Sequence, residues 1–230
     1  MLKGGKDYSI SIENLNKVCA VIPFFNEKKT LRKVVEKTSL FVNEVIAVND
    51  GSTDGSAAEL NDLENVYILN FKNNIGKGFA LRCGFEECSK RNCRYIVTLD
   101  ADLQHDPEFI PLLLKKTEFF DIVIGNRLND VKLMPYSRRL SNRLTSFMLS
   151  KKTGAKIMDS QSGFRVYKAI VPASVNTDMN GFEAESEILV KALRKKFSLG
   201  FVDIPTIYGD EKSKMRTCPA IKGFIKVMMS

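Results

Sequence analysis

Apolar positions along the first 127 residues come in two alternating rhythms. Residues 18–25, VCAVIPFF, form a continuous apolar run with β-branched members, the signature of a strand buried on both faces. A helical spacing follows, with Leu31, Val34, Val35 and Thr38 on one face. The same alternation then repeats. Strands are expected at 44–49, 66–71, 95–99 and 122–124. A helix over 57–63 follows the second strand and one over 78–91 the third, and Asp106 caps a helix that has Pro107 at its first position. Strands alternating with helices at this spacing predict an α/β domain with a mostly parallel sheet covered on both faces. The later residues are less regular. Leu140, Leu144, Phe147 and Met148 make one helical stripe, and 182–196 another with Ile188, Leu189, Ala192 and Leu193 as its buried face. Short strands are expected at 163–167 and 201–207, and 219–229 is basic and amphipathic. With no linker or internal repeat, the 230 residues read as one domain, a nucleotide-binding half over 17–127 and a second half over 128–230.

Ligands of such sheets bind beyond the carboxyl ends of the strands, and polar residues collect there. The strand ends are Phe25-Asn26-Glu27, Asn49-Asp50, Asp100-Ala101-Asp102 and Gly125-Asn126-Arg127. Asp100 and Asp102, one residue apart in a turn, suit a shared divalent cation, with Gln104 close by in sequence. Asp50 suits either a turn that caps the next helix or a base or ribose contact. Gly76-Lys77-Gly78 matches neither a phosphate loop nor a dinucleotide fingerprint, although a lysine between glycines can approach a ligand closely. His105 is the only histidine, so a Ser-His-Asp triad has little to stand on.

Charge adds a second theme. Lys and Arg total 35 against 27 acids, a net +8. Twelve of the basic residues lie in two stretches without acids, 131–158 and 212–230, leaving 23 basic against 27 acidic residues elsewhere, or −4. Anionic lipid, phosphorylated ligands and nucleic acid are the partners such segments attract; nucleic acid is disfavoured because no RNA-binding aromatic motif accompanies the charge. No apolar run approaches the roughly 20 residues that span a bilayer, and the first residues lack a signal-peptide core. The five cysteines, an odd number without CxxC spacing, are expected as free thiols in a reducing, cytoplasmic compartment.

Taken in order, VIPFFNE, VNDGSTDGS, NNIGKGFALRCGF, TLDADLQHDPE, GNR and DSQSGFR resemble family 2 inverting glycosyltransferases of the GT-A fold, and within them the branch that uses polyprenyl (dolichyl) phosphate. The likeness runs from about residue 18 to 215. It implies a nucleotide-sugar donor, linked to GDP or UDP, and a Mg2+ or Mn2+ ion. It implies donor contacts from Pro23, Phe25, Glu27, Val48, Asp50, Asp100, Ala101, Asp102 and Lys214, and metal ligands among Asp100, Asp102 and Gln104. Arg127, Arg138, Asn142 and Arg165 fall at acceptor-phosphate positions, and Asp100, Asp102 and Arg127 would carry the catalysis. Tyr208 replaces an arginine found in some relatives, with Lys212 a partial substitute. The acceptor implied is a lipid-linked phosphate, which places the enzyme on the inner face of a membrane. Two other readings stay open. A glycan hydroxyl acceptor would need a base such as one of Glu183, Glu185 and Glu187, and a non-catalytic nucleotide-sugar-binding module would bind without turnover.

Overall fold

The computed structural model describes residues 18–129, 134–205, 207 and 217–229. Its centre is a seven-stranded sheet in the order β3-β2-β1-β4-β6-β5-β7. The strands are β1 (Val18–Phe24), β2 (Glu44–Asp50), β3 (Val66–Phe71), β4 (Tyr95–Thr98), β5 (Ile122–Asn126), β6 (Arg165–Lys168) and β7 (Leu199–Asp203). All neighbouring pairs are parallel except those of β6, which is antiparallel to both β4 and β5. The sheet is therefore mostly parallel, as the alternation predicts, with one reversed strand set into its middle.

The two faces separate residue by residue. Cys19 and Val21 of β1, with Ile46 and Val48 of β2, enter one apolar cluster; Val18, Ala20, Ile22 and Phe24, with Val45 and Ala47, enter the other. This period-2 division is why β1 reads as apolar throughout. Pro23 has no N–H to donate. It lies beyond Val21–Thr98, the last registered pair of the β1–β4 ladder, so it leaves no hole there.

Helices α1 (Leu31–Ser39) and α2 (Lys77–Lys90) pack on β1 and β2, and α3 (Ile110–Lys116) packs on β5, β6 and β7. The expected helix at 57–63 is a shorter 3-10 segment, Ser56–Leu60. Helices α4 (Tyr136–Thr153), α5 (Ile170–Ser174), α6 (Ala184–Arg194) and α7 (Thr217–Met229) follow. The last strand ends at Asp203, so Pro205 lies outside it.

The cysteines depart from expectation. Cys19 and Cys93 form a disulfide across 74 residues, Cα–Cα 6.1 Å. It ties the start of β1 to the chain entering β4, two segments that parallel pairing already brings together. Cys83 and Cys88 are thiols, and burial pushes that of Cys88 up to about 12. The free-thiol reading thus fails for Cys19 and Cys93, because sequence spacing carries no record of adjacency across a sheet.

Candidate active site

The site forms at the carboxyl edge of the sheet. Strand β4 delivers Leu99 to the core and then Asp100-Ala101-Asp102 to the edge; Ala101 stays buried among apolar side chains. Leu103 has φ 60°, a left-handed conformation that a leucine adopts at a cost. There the Gln104 N–H returns to Asp102 Oδ1 at 3.1 Å.

Asp100 is not bare. Lys77 Nζ lies 2.5 Å from its Oδ1 and His105 Nε2 3.4 Å from its Oδ2. The space it occupies depends on Gly163, whose absent Cβ would stand 2.5 Å from Asp100 Oδ2. Burial alone would raise the Asp100 carboxyl, but Lys77 and His105 outweigh it and hold it well below the usual range. Asp102 goes the other way: burial, and then the charge of Asp100, push it above the usual carboxylate value. Two carboxylates one residue apart are thereby set apart in proton affinity.

Lys77 also pairs with Glu185 Oε2 at 3.0 Å, and its ammonium stands 5.7 Å from the Phe182 ring centroid. Its backbone is fixed from three directions. Asp50 accepts the N–H groups of Ile75 (2.9 Å) and Gly76 (2.8 Å). The Gly78 N–H donates to Asn180 O at 2.7 Å, and a side chain at Gly78 would collide with Ala184 and Met179. Arg82 donates to the carbonyls of Thr177 and Met179. The start of α2 is thus locked against the segment that leads into α6.

The arginines have distinct surroundings. Arg127 follows β5, and its Nε and Nη2 donate to Asp159 at 2.9 and 3.2 Å. Asp159 is fully buried; burial would raise its carboxyl, but Arg127 holds it below the usual range. Arg165 is 0% exposed, and its guanidinium donates to the carbonyls of Ser160, Ser162 and Glu185. The expected acceptor-phosphate contact therefore has no exposed guanidinium behind it. Arg165 stitches 160–162 to the start of α6, and charge on a buried guanidinium is satisfied there by main chain. Arg138 and Asn142 lie on α4, the first half-exposed and the second buried. Lys212 and Lys214 lie outside the described residues, as does Tyr208.

The donor-side residues are mixed. Phe25 and Glu27 are half-buried at the end of β1; the Glu27 N–H donates to Ser56 Oγ. Val48 is buried in the core, so only its main chain faces a ligand. Asp50 is 3% exposed with both oxygens on N–H groups, which makes it a brace for the Lys77 loop. Glu187 accepts from Thr177 Oγ1, from the N–H groups of Asp178 and Met179, and from Lys191. Those bonds take it out of the set of available bases. Sequence reasoning gave no role at the site to His105 or Asp159, offered Glu185 only as a candidate base, and did not pair Lys77 with Asp100. The hint lay in Gly-Lys-Gly, where small neighbours allow close approach.

The residues suit a hard divalent cation: Asp100, Asp102 and Gln104 offer carboxylate and amide oxygens. Around them, Glu185 Oε1, Ser162 Oγ and His105 Nδ1 are buried without a hydrogen-bond partner among the described residues. Unpaired buried polar atoms are costly unless something arrives to meet them. A separate open cleft of about 470 Å³ runs beside the end of α4, lined by Arg143, Phe147, Lys151, Lys156 and Met158 among others. None of the carboxylate-site residues lines it, and its mouth is basic and apolar together.

Comparison with known proteins gives this geometry a context. A family model described as Glycosyl transferase family 2 matches residues 19–171. The UDP-N-acetylglucosamine–dolichyl-phosphate N-acetylglucosaminyltransferase of Methanococcus voltae is 28% identical, covering 89% of this chain and 90% of its own. The undecaprenyl-phosphate 4-deoxy-4-formamido-L-arabinose transferase of Proteus mirabilis is 32% identical over 69% of this chain, which spans about half (51%) of that relative. Among solved structures, glucosyl-3-phosphoglycerate synthase from Mycobacterium tuberculosis, in complex with Mn2+, UDP-glucose and phosphoglyceric acid, superposes with a TM-score of 0.65. It is 18% identical and the match covers 92% of this chain and 77% of that one; it shares the GT-A fold.

Proposed function

The chain belongs to glycosyltransferase family 2, and from that premise we propose that it moves a hexose from a nucleotide-sugar, GDP- or UDP-linked, to a polyprenyl phosphate with inversion at the anomeric carbon. The observation that carries the reading is the carboxylate pair at the sheet edge, Asp100 and Asp102, held with opposite proton affinities beside Lys77. Relatives named for undecaprenyl- and dolichyl-phosphate acceptors support the acceptor class.

The donor lies over the ends of β1, β2 and β4, against Pro23, Phe25, Glu27 and the main chain at Val48. Its diphosphate faces Asp100-Ala101-Asp102. Asp100, Asp102 and Gln104 hold Mg2+ or Mn2+, which when bound neutralises the charge that builds on the departing diphosphate. Lys214 adds a second positive charge to the diphosphate. Arg127, oriented by Asp159, and Arg138 hold the acceptor phosphate for in-line attack. A phosphate oxygen is already ionised at neutral pH, so the step needs no general base. The four donors on Glu187 and the pairing of Glu185 with Lys77 leave two of the three candidate bases engaged, which fits an acceptor that needs none.

Reaching a lipid acceptor asks for a surface that meets the bilayer. Tyr136, Leu140, Leu144 and Phe147 of α4 are exposed, with Arg138, Arg139, Arg143 and Lys151 beside them. Ile221, Ile225 and Met229 of α7 are exposed beside Lys222 and Lys226. Apolar side chains rimmed by cations suit an anionic interface, each cation contributing about 1 kcal/mol. No described helix is long and apolar enough to cross a membrane. The exposed apolar and basic faces of α4 and α7 support work at the inner face of a membrane. Thermal-shift titration with GDP, UDP and their sugar conjugates, with and without Mn2+, tests the donor site. A Mn2+-dependent rise in Tm for one nucleotide class is expected, and no shift with any of them contradicts the reading.

A further inference from the structure

Lys77 stands between two carboxylates in a site built to take a dication. Its Nζ is 2.5 Å from Asp100 and 3.0 Å from Glu185, and its side chain is 11% exposed. The backbone beneath it cannot follow a ligand. Asp50 clamps Ile75 and Gly76, Gly78 is pressed on Asn180 and Ala184, and Arg82 grips the carbonyls of Thr177 and Met179. Only the four-carbon stem of Lys77 can carry its charge from one partner to another.

The consequence is electrostatic. A cation arriving alone must take Asp100 from Lys77 and leave an ammonium close to a dication, in surroundings of low dielectric where like charges repel strongly. A nucleoside diphosphate arriving with the cation changes the balance. It brings negative oxygens that give the ammonium a new partner as Asp100 is released. Glu185 keeps the lysine in reach throughout, and its second oxygen, Oε1, is buried without a partner among the described residues. We propose that Lys77 is the charge placeholder of the site: it neutralises Asp100 until cation and nucleoside diphosphate enter together, and Glu185 is the positioning residue that keeps it there. The inference rests on the donor-site reading above for its nucleotide, and on the Lys77–Asp100–Glu185 geometry for its cation.

The test is Mn2+ binding followed by the electron paramagnetic resonance of the free ion, with and without GDP or UDP. Wild type is expected to bind Mn2+ weakly alone and at least about 10-fold more tightly with the matching nucleotide. By linkage, Mn2+ tightens the nucleotide by the same factor. Lys77→Met removes the charge and keeps the stem. It is expected to bind Mn2+ alone at least about 10-fold more tightly than wild type, with the nucleotide enhancement falling toward 1. Lys77→Arg keeps the charge and is expected to restore weak binding of Mn2+ alone. Lys77→Gln serves the same comparison if the methionine variant does not accumulate folded. A lysine that only props up α2 would lower Tm when replaced and leave the Mn2+ affinity and its coupling to nucleotide as in wild type; that result overturns the proposal. The two readings fail separately. Absence of any nucleotide effect in wild type removes the donor site, while tighter binding of Mn2+ alone in Lys77→Met still upholds the placeholder.

Discussion

Asp102 illustrates at the residue scale how a site can oppose the fold that holds it. Its carboxyl is raised by burial and by Asp100, so its ionised form is disfavoured in the native state. An acid raised in this way subtracts stability above its unfolded value and costs nothing once protonated. Asp102→Asn is therefore expected to raise Tm at neutral pH while lowering sugar transfer at least about 100-fold, the scale of losing a group that stabilises developing charge. Calorimetry and initial rates on the same preparation check both. Asp159 has the opposite sign. Its carboxyl is depressed by Arg127 against the pull of burial, so its contribution is present above the unfolded value of about 3.9 and is lost as pH falls through the native value. Arg127→Met leaves a buried charge unpaired. A loss of about 3 kcal/mol at pH 7 is expected; with the guanidinium gone, the main-chain N–H groups of residues 127 and 161 are left to oppose burial at that carboxyl, so its native value rises and the deficit against wild type narrows as pH falls. Denaturant titrations at pH 7 and pH 5 measure both effects; equal stability of variant and wild type at pH 7 would contradict the account of the pair.

The elements show what the sequence could and could not convey. Strand β1 announces itself most plainly, because it is buried at every position and apolar throughout, while β2 and β3 read from shorter apolar runs with polar residues at or near their ends. The carboxylates and arginines at strand ends were also legible, since the rule for parallel sheets assigns ligands to that edge. Contacts made by long side chains across elements were hidden. The SGFR motif gives no sign that Arg165 is buried with its guanidinium on three carbonyls. The VNDGSTDGS motif gives no sign that both oxygens of Asp50 sit on the N–H groups of Ile75 and Gly76. Cys19 and Cys93, 74 residues apart, meet only because β1 pairs with β4. Helix α4 carries a prediction at this scale. With Leu140, Leu144 and Phe147 exposed, replacing all three by serine is expected to leave Tm within about 2 °C of wild type. Sedimentation with anionic vesicles is expected to fall at least about fivefold. Unchanged sedimentation would remove α4 from the membrane-facing surface.

At the scale of the whole molecule, the charge is divided between a mildly acidic body and two basic stretches. On the proposed function the two parts would have different tasks, the body holding donor and cation and the basic helices finding the lipid. Vesicle binding is accordingly expected to weaken as salt rises from 50 to 500 mM, since surface charges are screened over a Debye length that shortens to a few Å. Nucleotide binding at the more enclosed carboxylate edge is expected to change far less over the same range.

The most direct measurement of the central claim is transfer itself. Purified protein, short polyprenyl phosphate in detergent, Mn2+ and each of the common GDP- and UDP-sugars are incubated, and the lipid product is resolved by mass and its anomeric configuration read by NMR. The account expects one nucleotide class to yield a glycosyl phosphate lipid with the configuration inverted from the donor, and no product with Asp102→Asn. Sugar appearing on a glycan hydroxyl but never on the lipid phosphate, or retention of the donor configuration, would contradict it.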